Sequence, residues 1–166
     1  MNYMLKKIPE RTTKPRQSGF TMAMDKGLSL REVEDFISIA GDYVDIVKLG
    51  WATSFVTPNL KEKIKLYRDL GIPTYFGGTL FEGFVIRGQF EDYIKVLDKF
   101  SMEYAEVSDG SIEMDRDVKC EYIRKLSKHV TVLSEVGSKD AEKIIPPYKW
   151  IKQMQDELDA GSWKVI

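Results

Sequence analysis

Six short runs rich in apolar and β-branched residues recur along the chain, at 20–24, 43–49, 73–76, 104–107, 130–136 and 163–166. Most are nearly continuous rather than alternating, the pattern of strands covered on both faces. Helical period fills the gaps between them. Leu30, Val33, Phe36, Ile37 and Ala40 form one stripe, opened by a Ser29/Glu32 capping box and stopped by Gly41. A second stripe, Leu60, Ile64, Tyr67 and Leu70, follows Pro58 and ends at Gly71. Phe90, Tyr93, Ile94, Leu97 and Phe100 form a third, and Val118, Tyr122, Ile123 and Leu126 a fourth. Ile151, Met154 and Leu158 give a weaker fifth.

Strand, helix, strand at about 30 residues per unit is the rhythm of a parallel sheet. It predicts an α/β fold, either a doubly wound open sheet or part of a (β/α)8 TIM barrel. A length of 166 residues favours the open sheet, since a full barrel usually needs about 250. The end of the chain favours the barrel: it stops inside an apolar strand with no helix to cover it. The expectation is one barrel domain over 19–166, truncated within the sixth strand. An N-terminal arm over 1–18 precedes it.

Charge narrows the partners. The 25 basic residues nearly cancel the 26 acidic ones, so no bulk positive field is available for nucleic acid. No run approaches a membrane span and the start has no apolar signal core. Cys120 is the single cysteine, which excludes an internal disulfide. A cytoplasmic protein acting on small molecules is expected.

In parallel α/β proteins the chemistry collects just past the strands. Three strands share a local pattern there of a charged, an aliphatic and a small residue: Lys48-Leu49-Gly50, Glu106-Val107-Ser108 and Glu135-Val136-Gly137. Side chains alternate across a strand, so the three charges face one mouth. Desolvated charges need partners or a metal, and carboxylates on adjacent strands suit an oxygen-loving cation of the Mg2+ kind. Internal pairing of Lys48 with one glutamate is the competing explanation. Lys26 and Lys139 follow strands closely and can meet phosphate, sulfonate or a developing enolate; a solvated loop lysine is the plainer reading of Lys26. Gly77 and Gly78 let backbone amides approach an anion. Asp109-Gly110 reads as a turn, Trp51 as packing and Cys120 as structural. His129 precedes strand five and belongs at the opposite, stability face.

Taken in order, 21–27, 45–54, 77–82, 106–110 and 134–137 resemble the phosphosulfolactate synthase family. These carry Lys26, Lys48-Leu49-Gly50-Trp51, Gly77-Gly78-Thr79-Leu80-Phe81-Glu82, Glu106-Val107-Ser108-Asp109-Gly110 and Glu135-Val136-Gly137. The resemblance implies a TIM barrel that adds sulfite to phosphoenolpyruvate with Mg2+, giving (R)-phosphosulfolactate. In methanogens that step opens coenzyme M biosynthesis. By this resemblance Glu106, Glu135 and Glu82 hold the metal, Lys139 protonates the α-carbon and Lys48 stabilises the enolate or sulfite. Lys26, Gly77 and Gly78 contact the anionic substrate. A family member should continue through strands seven and eight, where barrels often anchor phosphate. Weak or absent activity of this chain alone, and self-association through open sheet edges, are therefore expected. Another Mg2+-dependent enolate-forming barrel enzyme and a non-catalytic ligand-binding relative are the rival readings.

Overall fold

The computed structural model describes residues 5–139, 142 and 144–166. Six strands form one parallel sheet: β1 (Met22–Asp25), β2 (Ile46–Leu49), β3 (Thr74–Phe76), β4 (Tyr104–Val107), β5 (Thr131–Ser134) and β6 (Lys164–Val165). Helices α1 (Leu30–Ala40), α2 (Leu60–Asp69), α3 (Gly78–Val85), α4 (Phe90–Lys99), α5 (Arg116–Leu126) and α6 (Pro147–Asp159) alternate with them.

Spatial order follows chain order, β1-β2-β3-β4-β5-β6, every pair parallel. A doubly wound sheet must reverse its strand order at a switch point. This sheet never does, which removes the open-sheet alternative and leaves the winding of a barrel. The sheet is also curled. Laid flat, β1 and β6 would stand about 24 Å apart, five strand spacings. Yet Phe20, ahead of β1, meets Trp163, ahead of β6, edge-on at 5.4 Å between ring centroids. Six strands therefore make a partial barrel; eightfold closure is not seen in the described residues.

Two apolar layers follow from the two faces of the sheet. The larger lies between strands and helices, where Val47, Leu49, Phe76, Ala105, Val107 and Val132 meet Val33, Ile64, Tyr67, Phe81, Tyr93 and Ile123. The smaller fills the barrel interior with Ile46, Tyr75 and Leu133, backed by Phe20, Met22 and Tyr104. Residue i+2 from each interior residue is what the strands carry to the mouth.

Local signals behave as their chemistry requires. The Ser29 hydroxyl accepts from Glu32 N–H while the Glu32 carboxylate accepts from Ser29 N–H at 2.8 Å, closing the capping box of α1. α3 occupies a stretch that reads as loop in the sequence, because its two opening glycines and eight residues give little helical period. α6 departs from the predicted stripe. Ile151 and Leu158 are exposed, while the buried residue of that helix is Glu157. Cations on α5 explain the rotation: Lys119 and Arg116 reach Glu157 Oε1 at 2.8 and 2.6 Å. The N-terminal arm lies at the amino ends of the strands, where Arg16 pairs with Asp45 at 2.8 Å and Arg11 donates to Tyr43 O at 2.8 Å. Among the described residues no helix is long and apolar enough to cross a membrane.

Candidate active site at the carboxyl ends of the strands

Lys48 lies two residues beyond Ile46, Glu106 two beyond Tyr104, and Glu135 two beyond Leu133. Strand alternation therefore delivers all three to the interior face, one layer above the apolar plug. There they meet. Lys48 Nζ stands 2.6 Å from Glu106 Oε1 and 3.1 Å from Glu135 Oε2, bridging β2 to β4 and β5 across the barrel. The simple reading of one lysine with one glutamate is replaced by one lysine with two.

Glu106 is fully buried, whereas Glu135 keeps about a third of its side chain open. Burial disfavours the Lys48 ammonium, but the two carboxylates outweigh it and hold its pKa above the ordinary value. For Glu106 burial is the larger effect and raises the carboxyl pKa, against the pull of Lys48 and of Gly78 N–H. The reason is visible in the hydrogen bonds. Oε1 takes Lys48 at 2.6 Å and the Gly78 amide at 2.7 Å, while Oε2 has no closed hydrogen bond among the described residues, although the Tyr75 hydroxyl interacts with this carboxylate. The Tyr75 hydroxyl, whose pKa is pushed up by burial and then by Glu106, also lacks a closed hydrogen bond. The trio of Lys48, Glu106 and Glu135 carries a formal charge of -1 in a dry setting.

Gly77 and Gly78 make this layer sterically achievable. A Cβ on Gly77 would lie 2.8 Å from Lys48 Cε, and one on Gly78 2.3 Å from Ser108 Oγ and 2.9 Å from Glu106 Oε1. Their amides are already engaged, Gly77 N–H with Leu49 O at 3.0 Å and Gly78 N–H with Glu106. The anion that Gly78 receives in this structure is thus the chain's own carboxylate. Glu82, buried on α3, accepts from the Ser108 hydroxyl and from Ser111 N–H at 3.2 Å. It stands behind the trio rather than in it. No group of three acidic, histidine or cysteine side chains is placed to share a metal among the described residues.

An outer ring of cations surrounds the mouth. Lys139 Nζ donates to Ser111 Oγ at 2.7 Å and Thr79 Oγ1 at 3.3 Å, and lies 5.9 Å from the Trp51 ring centre. Lys26 Nζ lies 5.8 Å from the same ring. Asp25, beside it in sequence, faces the helices instead. It accepts from Lys63 at 3.1 Å, Tyr67 at 3.1 Å and the Gly27 and Leu28 amides, which shapes the turn carrying Lys26.

Three contributors carry no sequence signal of their own. Thr79, at the start of α3, and Ser108 and Ser111, in the loop after β4, are small hydroxyls whose contacts are recognisable only once the charged groups they touch are placed. Lys119 is a fourth. It is fully buried on α5 and donates to Glu135 O at 2.6 Å and Asp109 Oδ1 at 2.6 Å, so Asp109 is more than a turn residue. Cys120 is buried beside it with its thiol pKa pushed up by burial, which suits a structural role. His129 ends the loop ahead of β5, at the face away from the mouth.

A curled, sequentially wound parallel sheet with a lysine bridging two carboxylates at its carboxyl end is the build of a barrel enzyme of the α/β class. Similar solved structures agree on the fold. 3-Hexulose-6-phosphate synthase superposes with a TM-score of 0.53 at 14% identity, covering 87% of this chain and 62% of that one. The carboxyl transferase domain of Rhizobium etli pyruvate carboxylase gives 0.57 at 11% identity, covering 87% of this chain and 26% of that one. Sequence comparison is more specific. Residues 9–166 match the (2R)-phospho-3-sulfolactate synthase (ComA) family, and the chain belongs to it. Phosphosulfolactate synthase of Bacillus subtilis is 39% identical over 168 residues, spanning 100% of this chain and 67% of that protein. The Methanocaldococcus jannaschii protein of the same name is 40% identical over 155 residues, 90% of this chain and 62% of that protein. The chain thus spans about two thirds of the length of these relatives.

Proposed function

We propose that the mouth of this barrel adds sulfite to phosphoenolpyruvate, forming (R)-phosphosulfolactate. The observation that carries the reading is the Lys48 bridge to Glu106 and Glu135 with Lys139 poised above it, on a chain of the phosphosulfolactate synthase family. Sulfite sulfur bonds to the methylene carbon, the double bond's π electrons move onto the neighbouring α-carbon and its carboxylate, and one proton must then reach that α-carbon. Lys139, an ammonium held by Ser111 and Thr79 at the rim, is the donor in this scheme. Lys48 supplies fixed positive charge beneath the developing enolate, where a low dielectric makes it count most.

The donor set suits Mg2+. Glu106 offers a buried oxygen, Oε2, with no closed hydrogen bond among the described residues, and Glu135 is partly open to the mouth. Two carboxylates, with waters and substrate completing the shell, are what this hard cation takes. A bound cation would offset the trio's -1 beside an anionic substrate, adding to the positive charge of Lys26 and Lys139 at the rim. Glu106 and Glu135 would hold it; Glu82, committed to Ser108 and Ser111, would support the site from behind. When bound, the ion supplies charge neutralisation at the substrate carboxylate. Incubating the chain with phosphoenolpyruvate and sulfite, with and without Mg2+, tests the reading. Mg2+-dependent phosphosulfolactate, formed only slowly by this chain alone, that vanishes in Lys139→Ala is the expected result. Product formation undiminished in Lys139→Ala would overturn the assigned donor.

A further inference from the structure

We propose that Trp51 is a positioning residue that holds Lys26 and Lys139 in place over the mouth, an inference that rests on the synthase reading for its catalytic consequence. Three observations converge on it. Trp51 and Ala52 both adopt left-handed backbone, with φ of 56° and 53°. A non-glycine residue there is strained by roughly 1–3 kcal/mol, and such strain gathers at functional sites. Second, the strain is not offset by burial. The indole stays 57% exposed, so packing, the plain reading of a strand-end aromatic, does not explain it.

Third, the ring meets two ammonium groups from different loops. Lys26 comes from the turn after β1 and lies 5.8 Å from the ring centre; Lys139 comes from the turn after β5 and lies 5.9 Å away. Both distances fall within cation–π range. Two lysines brought to one rim repel each other, and an exposed lysine side chain loses rotamer freedom when fixed. An indole within reach of both opposes both costs, adding to the Ser111 and Thr79 hydroxyls that hold Lys139, without a negative charge that would repel an anionic substrate. An aspartate or glutamate at position 51 would hold the lysines better and the substrate worse. The neighbouring turn is tight: a Cβ on Gly50 would lie 2.7 Å from Met24 Cγ, so any other residue there would have to displace the Met24 side chain.

The function of the lysine pair in this arrangement is to meet the two ends of a dianionic or trianionic three-carbon substrate. Loss of the ring should therefore loosen the cations without collapsing the fold. Trp51→Gly separates the two effects, because glycine relieves the left-handed strain while removing the ring. The expected result is an unchanged or higher melting temperature together with a roughly tenfold fall in kcat/KM, the scale of losing two cation–π contacts. Trp51→Phe should keep most of the activity. A lowered melting temperature with unchanged kcat/KM would overturn the proposal.

A readout independent of turnover accompanies these variants. In the folded wild-type chain, carrying labelled lysine and assigned through Lys26→Arg and Lys139→Arg, the ε-methylene protons of both lysines should show aromatic ring-current shifts. Those shifts should vanish in Trp51→Gly and persist in part in Trp51→Phe. Unshifted ε-methylene signals in the wild type would overturn the positioning role whatever the activity. Shifted signals in a chain that makes no phosphosulfolactate would support the positioning role and overturn the synthase reading instead.

Discussion

Two of the buried lysines in this barrel each bridge two carboxylates, with opposite consequences. Lys48, on β2, bridges Glu106 and Glu135 on the interior face, where one carboxylate opens to the mouth; Glu106 Oε2 here and Glu157 Oε2 in the wall alike lack a hydrogen-bond partner among the described residues. Lys119, on α5, bridges Asp109 and Glu157 in the wall between sheet and helices, and also takes the Glu135 carbonyl. Arg116 closes the wall cluster to an even balance of two cations and two carboxylates. The mouth trio is left with one excess negative charge. Charge content thus does not distinguish site from scaffold; strand parity, access and imbalance do. The wall cluster joins α5, α6 and the loop after β4 to the backbone of Glu135, and so holds one half of the mouth from outside.

The largest effect that would sharpen this contrast is on stability. Lys119→Met leaves Asp109 without its cation and Glu157 with Arg116 alone, and a loss of about 3 kcal/mol in chemical denaturation is expected. A change below 1 kcal/mol would mean the wall cluster is not structural. Next comes Gly78→Ala, whose methyl would intrude on Ser108 and Glu106. A cost of about 1–3 kcal/mol is expected, together with weakened activity, because the layer it disturbs is the mouth itself.

A third cluster, at the amino end of the barrel, should respond to pH without touching catalysis. Burial works against the Asp45 carboxylate, but the Thr21 amide at 2.7 Å and Arg16 outweigh it and lower its pKa. With a folded value below the ordinary 3.8, its contribution is fully present above that value and is lost as pH falls through the folded pKa. Asp45→Asn should therefore reduce melting temperature at neutral pH, with the difference from wild type shrinking in strong acid. A difference constant across that range would contradict the pairing. The smallest effect concerns α6. Ile151 is 69% exposed, so Ile151→Gln should change stability by no more than about 0.5 kcal/mol, where the sequence pattern predicts a core loss.

Much of this was readable in the chain because strands obey a strict period of two. Lys48, Glu106 and Glu135 each follow an aliphatic or aromatic interior residue by two positions, so their convergence required only the winding order. That order was not legible in the strand and helix rhythm, which suits an open sheet as well; the chain's end and the resemblance of its strand-end motifs pointed to the barrel. What else could not be read lies where helices choose between faces. On α5 the predicted stripe is Val118, Tyr122, Ile123 and Leu126; Ile123 and Leu126 are buried and Tyr122 packs on the core, but Val118 is exposed while Lys119 and Cys120 are buried. A lysine on an amphipathic helix is normally solvated, and only the distant Glu157 and Asp109 turn it inward. The same pairing rotates α6 and exposes its stripe. Trp51 was invisible for a related reason: neither its left-handed backbone nor two lysines from loops far apart in sequence can be seen from the residue alone. Glu82 stood in the right motif but serves Ser108 and Ser111.

The central claim, that the Lys48 cluster is catalytic and the Lys119 cluster structural, is tested most directly by Lys48→Met. Phosphosulfolactate formation from phosphoenolpyruvate and sulfite with Mg2+ is to be measured for wild type and variant, at a temperature where both are folded by circular dichroism. Product from the wild type and a loss on the order of 10²–10³ in the variant are expected. A folded Lys48→Met chain turning over at the wild-type rate would contradict the account.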